Sequence, residues 1–178
     1  MSESLDQLEY RNEDDKAYGL AGMIIALSSM DSLELVQSVS LDADDSADET
    51  MIEFTDEYYH VLAPNVSPKS VWETLQRNFY ITSSMVLGNV MARSVVRDGT
   101  QVNEKLLKII LNMMRIEAEE TLDMGNDETD LLYRQMLRRN MNLFYNPQVR
   151  SKVKALSRRL ALLRNLTVRD IVSELEGI

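Results

Sequence analysis

Cysteine is absent from the 178-residue chain, and the chain has only one histidine, His60. Without cysteine the chain has no disulfide, no thiolate nucleophile and no cysteine-based zinc or iron–sulfur site. A single histidine excludes a di-iron bundle built from two Glu-x-x-His motifs. A phosphate-binding glycine loop, a G-x-S-x-G motif and an H-E-x-x-H motif are also missing. We therefore predict no cofactor and no catalytic residue, with His60 on the surface or hydrogen-bonded.

Long apolar runs are missing too. The longest, Leu20 to Leu27 counting Gly22, is far short of the roughly 20 residues that cross a bilayer. Residues 1–15 are acidic and lack the basic and apolar regions of a secretory signal. We predict a soluble, cytoplasmic protein that does not enter a membrane.

Helix-breaking residues are few, with six glycines and three prolines against eleven methionines. Long unbranched side chains and few breakers favour helices. A chain of this length buries roughly 70% of its unfolded surface, enough for one core. We predict a mainly α fold, an irregular bundle of five or six helices. Residues 1–13 are expected to be a flexible N-terminus and residues 14–178 a single helical domain.

Capping residues and apolar spacing suggest where the helices lie. Ser67 before Pro68 is a typical helix start, and Thr167 is expected to cap the last helix. Five apolar residues after Pro147 alternate at spacings of four and three and define a buried seam: Val149, Val153, Leu156, Leu160 and Leu163. The predicted helices run from about Asp14 or Asp15 to Ser28, over about 68–97 and 102–123, from a cap at Asn126 or Asp127 through Phe144, over the seam after Pro147, and from Val168 to Glu176.

Residues 31–54 fit two structures. From Leu33 to Leu41, every second residue except Gln37 is apolar, as in a strand. Met51 to Phe54 could pair with this segment, which favours a short β-hairpin near residues 35–54. In the alternative, Asp31 and Glu34 form a capping box that opens a helix.

The helix 68–97 carries two predicted contact faces. Its buried seam comprises Trp72, Leu75, Phe79, Val86 and Val90. Ser84, Gly88 and Ala92 lie four apart and form a small-residue ridge that lets another helix come close, which makes the ridge a candidate surface for self-association. The helix 102–123 is apolar nearly all round, and we predict that it is the central helix of the bundle.

Positive charge is concentrated in one stretch. Residues 131–169 contain ten Lys or Arg and no Asp or Glu, whereas residues 1–60 contain sixteen acids and two bases; the net charge is −10. The predicted interaction surface is a basic ridge of Arg150, Lys154 and Arg158, with Arg134 and Arg138 on the preceding helix. Such a ridge either meets an acidic protein surface or binds a polyanion such as nucleic acid.

Two acidic groups are weak candidates for metal binding. Asp42, Asp44, Asp48 and Glu53 fall on an EF-hand-like spacing, but Ala47 stands where that loop needs glycine, so a solvated loop is favoured. Glu117 and Glu120 could begin a magnesium site for phosphate-ester hydrolysis. Asp127 and Asp130 follow too soon to complete the usual pattern, and ion pairs with the basic helices are favoured instead.

The sequence favours a non-enzymatic interaction or regulatory module that self-associates or binds another protein. Nucleic-acid or other polyanion binding through residues 131–169 is the first alternative. Metal-dependent nucleotide or phosphate-ester hydrolysis is the second.

Overall fold

A computed structural model of the protein describes residues 8–44, 51–59 and 67–176. Within this part of the chain the fold is mainly α with a small antiparallel sheet, as predicted. The helices are α1 (Glu13–Ser28), α2 (Asp56–Tyr59), α3 (Pro68–Met91, continued by a π-helical segment Ala92–Arg97), α4 (Glu104–Leu122), α5 (Asn126–Tyr145), α6 (Pro147–Leu163) and α7 (Val168–Glu176). The strands are β1 (Val36–Ser40), β2 (Ile52–Phe54) and β3 (Asn165–Thr167).

The predicted hairpin is confirmed, and a third strand joins it. β1 pairs antiparallel with β2, and β3 pairs antiparallel with the other edge of β1. Val39 lies between Ile52 and Leu166, and all three side chains are buried. β3 was not predicted because three residues between two helices are too few for a strand pattern to show.

Small residues place α1 at the centre of the fold. Ala21, Gly22 and Ala26 are buried and let α1 pack on both α3 and α6. Gly22 lies directly against Gly88 of α3, where a side chain on either residue would overlap the other backbone. Because helices come closest where side chains are smallest, α1 is enclosed on both of these sides.

The prediction that residues 102–123 form the central helix is wrong. α4 buries one face, which includes Leu106, Ile110 and Met114, and packs mainly on α3 and α5. Met113 and Ile116 on its other side are 42% and 58% exposed. Apolar content alone did not identify the central helix, because close packing depends on side-chain size.

The predicted seam of α3 is only partly covered. Phe79 and Val90 are buried, but Val86 and Leu75 are half-buried and Trp72 is 42% exposed. The seam of α6 follows the prediction at Val153, Leu156 and Leu160 and fails at Leu163, which is exposed.

We expect Gly88→Ala to destabilise the protein. A Cβ atom there would lie 2.6 Å from the Gly22 carbonyl oxygen and 2.8 Å from Ala26 Cβ. The overlap should cost about 1–3 kcal/mol or more, and the helix propensity of alanine offsets at most about 1 kcal/mol of it. Urea unfolding measures the change. Gly125→Ala is the comparison, since a Cβ atom at Gly125 meets no atom within 4 Å and the change loses only the preference for glycine over alanine at the helix cap, about 1 kcal/mol or less. A loss in Gly88→Ala no larger than that in Gly125→Ala would contradict the prediction.

Candidate interaction surfaces

The acidic start of α1 is held by arginines from the end of α3. Asn12 caps α1 by accepting a hydrogen bond from the Asp15 backbone at 2.9 Å, which places the Asp15 side chain in the first buried turn. Arg93 donates to one Asp15 carboxylate oxygen at 2.7 Å and Arg97 to the other at 2.8 Å. Arg11 adds a contact of 3.1 Å. The carboxylate is fully buried, and three guanidinium groups surround it.

Burial alone would raise the pKa of Asp15. Hydrogen bonds from Arg93 and Arg11 outweigh that effect and hold the pKa well below its usual range. Asp15 is therefore ionised, and it neutralises Arg93, which is only 6% exposed. We name this group of Arg11, Asp15, Arg93 and Arg97 the Asp15 cluster.

Residues 8–12 lie against the Asp15 cluster. Arg93 donates to the backbone carbonyl of Leu8 at 3.0 Å and to that of Glu9 at 2.6 Å, and its guanidinium lies 5.0 Å from the centre of the Tyr10 ring. These contacts fall inside the predicted flexible N-terminus 1–13, of which residues 1–7 lie outside the described part. The flexibility of the segment stays a prediction.

Five of the ten bases between residues 131 and 169 are bonded to other elements. Arg164 pairs with Glu13 and Asp42, and Arg159 pairs with Glu174 at 2.8 Å. The other three donate to backbone carbonyl groups: Arg139 to Ser29, Arg150 to Val95 and Lys152 to Leu175. Arg150, a predicted member of the basic ridge, is therefore half-buried and engaged.

The remaining candidates are exposed. Arg134, Arg138, Lys154 and Arg158 make no ion pair with any acid in the described residues. Arg134 donates to the Asp130 carbonyl of its own helix at 3.1 Å. At the start of α1, Asp14 and Asp15 bond Arg93 and Arg97. Glu13 and Asp42 pair with Arg164 of the basic stretch. They do not cover the basic ridge.

The small-residue ridge is occupied inside the chain. Ser84, Gly88 and Ala92 are all buried, and α1 packs on them through Gly22 and Ala26. The proposed use of this ridge for self-association is corrected, because the helix that comes close belongs to the same molecule. Asn140 of α5 also donates to the Ser84 hydroxyl, at 3.3 Å.

The acidic metal candidates have other contacts. Asp42 bonds Arg164, Asp44 pairs with Lys16 at 3.1 Å, and Glu53 accepts a hydrogen bond from Ser38 at 2.9 Å. Asp48 and His60 lie outside the described residues. Glu117 accepts from Thr121 at 3.2 Å, and Glu120 is exposed. Among the described residues, no three His, Cys, Asp or Glu side chains are grouped to hold a metal ion.

An apolar groove runs between α3 and α4. Phe79 and Val86 of α3 and Ile110 and Met114 of α4 line a cavity of about 300 Å³. Met113 forms its outer lip. We name this feature the α3/α4 groove.

Sequence reasoning missed both the Asp15 cluster and the α3/α4 groove. Arg93 and Arg97 are four residues apart at the end of an apolar helix, and this spacing was the available signal for a buried acceptor. The groove residues of α3 were identified, but the sequence could not show that α4 leaves them partly uncovered.

Within the described residues, no helix combines the length and apolar character needed to cross a bilayer.

We expect Asp15→Asn to destabilise the protein by about 3–5 kcal/mol, because it leaves the buried Arg93 without a counter-charge. Asp14→Asn is the control, since Asp14 is exposed and pairs, among the described residues, with Arg97 alone; it should cost less than about 1 kcal/mol. Urea unfolding at neutral pH measures both. Equal losses would contradict a special role for Asp15.

The wild type and Asp15→Asn should differ in how their free energy of unfolding depends on pH. Because folding lowers the pKa of Asp15, its stabilising contribution is present above the unfolded-state pKa of about 4 and is lost as the pH falls further. Asp15→Asn has no carboxyl group at this position. The difference in free energy of unfolding between the variant and the wild type should therefore shrink as the pH falls below about 4.

Two surfaces of the described residues are therefore accessible to a partner: the α3/α4 groove and the exposed bases of α5 and α6. No family model matches the chain, and comparisons with curated proteins and with solved structures find no match.

Proposed function

We propose that the protein is a non-enzymatic interaction module that binds an amphipathic helix of another protein in the α3/α4 groove. The observation that carries this proposal is the partly uncovered apolar seam of α3 beside exposed apolar residues of α4. Such a groove is the usual receptor for the apolar face of a helix.

The lining of the groove suits such a ligand. Phe79, Val86, Ile110 and Met114 provide an apolar floor, and Met113 is exposed beside them. Methionine side chains are flexible and polarisable, so they adapt to different apolar partners. Burying one exposed large side chain contributes about 1.5–3 kcal/mol, so a few such contacts give useful affinity.

The apolar stripe of α3 that lines the groove continues towards the start of the helix. Leu75 lies four residues before Phe79, and Trp72 lies three before Leu75, so both fall on the same stripe of the helix. Leu75 is half-buried and Trp72 is exposed. Together with Phe79 and Val86 they offer a row of contacts to a helix that carries apolar residues at spacings of three and four.

Acidic residues at the groove select the charge of the ligand. Glu117 lines the groove, and Glu120 is exposed one turn further along α4. Residues 116–133 contain no Lys or Arg, and the whole chain carries a net charge of −10. We therefore expect the partner helix to carry lysine or arginine beside its apolar face, because opposite charges speed and orient association.

We expect Met113→Lys to weaken binding of a designed helical peptide. The probe is a fluorescent synthetic peptide of about 20 residues with leucines three and four apart and lysines elsewhere. The variant removes an apolar contact and adds a repelling charge, so the Kd from fluorescence anisotropy should rise about tenfold or more.

The control is Leu162→Lys, which places the same charge on an exposed leucine of α6. It should change the Kd less than about twofold. A second peptide with glutamates in place of lysines should bind more weakly than the lysine peptide. Equal effects of the two variants, or no binding of either peptide at about 1 mM, would contradict the proposed function.

Polyanion binding is the second candidate, and the exposed bases favour it. Lys154 and Arg158 lie one turn apart on α6, and neither pairs with an acid of the described residues. Two bases form a small site, and the net charge of the protein opposes it. The groove is the better supported surface for that reason.

We expect Lys154→Glu combined with Arg158→Glu to abolish any binding of labelled duplex DNA. Wild-type binding by phosphate contacts should weaken steeply between about 50 mM and 200 mM salt. Electrophoretic mobility shift measures both effects. Wild-type DNA binding that the double variant leaves unchanged, or no shift at low salt, would reject this candidate.

A further inference from the structure

The outer face of α5 repeats at the spacing of a coiled-coil seam. Six residues follow one another at intervals of four, three, four, three and four, and every one of them is exposed: Asp127, Leu131, Arg134, Arg138, Met141 and Tyr145. Such a spacing keeps one side of a helix against a neighbouring helix. Among the described residues, no element covers these side chains.

Charge changes sign along this face. Asp127 and Glu128 lie in the first turn, and neither forms an ion pair with a described residue. Arg134 and Arg138 follow two and three turns later, and neither forms an ion pair with a described acid, although Arg134 lies near Asp130 and bonds its backbone carbonyl. The two signs are separated by Leu131, which is 55% exposed.

Asp130 does not contribute to this face. Arg115 of α4 holds its carboxylate through two hydrogen bonds, of 2.7 Å and 2.6 Å. This pair fixes α5 on α4 and lowers the pKa of Asp130, chiefly through the hydrogen bonds. Asp127 is therefore the carboxylate that belongs to the outer face of α5, and Glu128 lies beside it.

We propose that a second copy of the chain docks on this face, with the two α5 helices antiparallel about a two-fold axis. Asp127 of each copy then lies opposite Arg138 of the other, and Leu131 lies opposite the aliphatic part of Arg134. Two-fold contacts are self-complementary, because each pair of residues occurs twice. This proposal goes beyond the proposed function, because it concerns a different surface and does not depend on the α3/α4 groove.

Charge selects the register. Sliding one helix by seven residues would keep the seam spacing and would bring Leu131 opposite Met141. It would also place Arg134 of each copy opposite Arg138 of the other, four guanidinium groups in one interface. Like charges facing each other destabilise an interface, so the register that pairs Asp127 with Arg138 is favoured.

The mixed charge also distinguishes a second copy from other occupants. A polyanion would be attracted by Arg134 and Arg138 and repelled by Asp127 and Glu128. A basic helix would meet the opposite pattern. An antiparallel copy pairs both charged parts of the face at once, because Asp127 of each copy lies opposite Arg138 of the other.

The contact is short, so the dimer should be weak. α5 has 20 residues, which corresponds to a length of about 30 Å, and the favoured register overlaps only part of it. We expect a dissociation constant on the order of 100 µM, typical of small transient interfaces. Higher salt should weaken it further, since the charges are exposed.

The test is a charge exchange followed by sedimentation equilibrium of the full chain. In Asp127→Arg, positions 127 and 138 are both positively charged. In Arg138→Glu, both positions are negatively charged. Each variant alone should dimerise about tenfold more weakly or worse than the wild type. An equal mixture of the two should form a heterodimer, because every pair across the interface is again opposite in charge.

Lys154→Glu is the control, since it changes the same charge on α6 and should leave dimerisation within about twofold of the wild type. A wild-type monomer at about 1 mM, or a mixture that stays monomeric, would overturn the proposal. An equal loss of dimerisation in Lys154→Glu would also overturn it. If the wild type forms no dimer but binds DNA, and Arg138→Glu loses that binding, the face is a polyanion surface instead.

The groove is tested separately. The monomeric Arg138→Glu variant should still bind the lysine peptide, and Met113→Lys should still dimerise. Failure of the charge exchange with intact peptide binding would reject the dimer and leave the groove. Dimerisation without peptide binding would do the reverse.

Discussion

The close contact between Gly22 of α1 and Gly88 of α3 determines much of the remaining structure. Because the two backbones touch, α1 is enclosed by α3 and α6, and its first turn carries Asp15 into the interior. A buried carboxylate must be neutralised, so the end of α3 supplies Arg93 and Arg97. The described acids at the start of α1 consequently pair with Arg93, Arg97 and Arg164. Four other bases of α5 and α6 are exposed and form no ion pair with a described acid: Arg134, Arg138, Lys154 and Arg158.

Local signals predicted the elements well. Ser67 accepts a hydrogen bond at the start of α3, as expected for a cap, and Thr167 exchanges hydrogen bonds with Asp170 at the start of α7. The spacing of Val153, Leu156 and Leu160 also predicted the buried face of α6. These features depend on residues a few positions apart, so the sequence contains all of the information needed.

Properties that depend on distant residues were less predictable. The spacing of Ser84, Gly88 and Ala92 indicated a close helix contact but not which helix makes it, and α1 of the same molecule fills the ridge. The basic stretch was evident from composition, whereas the engagement of Arg150 by the Val95 carbonyl depends on how α6 packs against the end of α3. Trp72 lies on the predicted seam but is 42% exposed, which depends on the packing of distant elements.

The π-helical segment affects the direction of the arginine side chains at the end of α3. A π turn contains one more residue than an α turn, so it shifts the rotational phase of the residues that follow. Before the segment, α3 faces α4 through the stripe containing Phe79 and Val86, and its Gly88 packs on α1. Within the segment, Arg93 and Arg97 are both directed to Asp15 of α1. Removing a single residue between Ala92 and Arg97 would restore an ordinary helix and turn the second guanidinium away from its carboxylate. The two ion pairs with Asp15 therefore depend on the extra residue of the π turn. The length of this segment is as constrained as its composition.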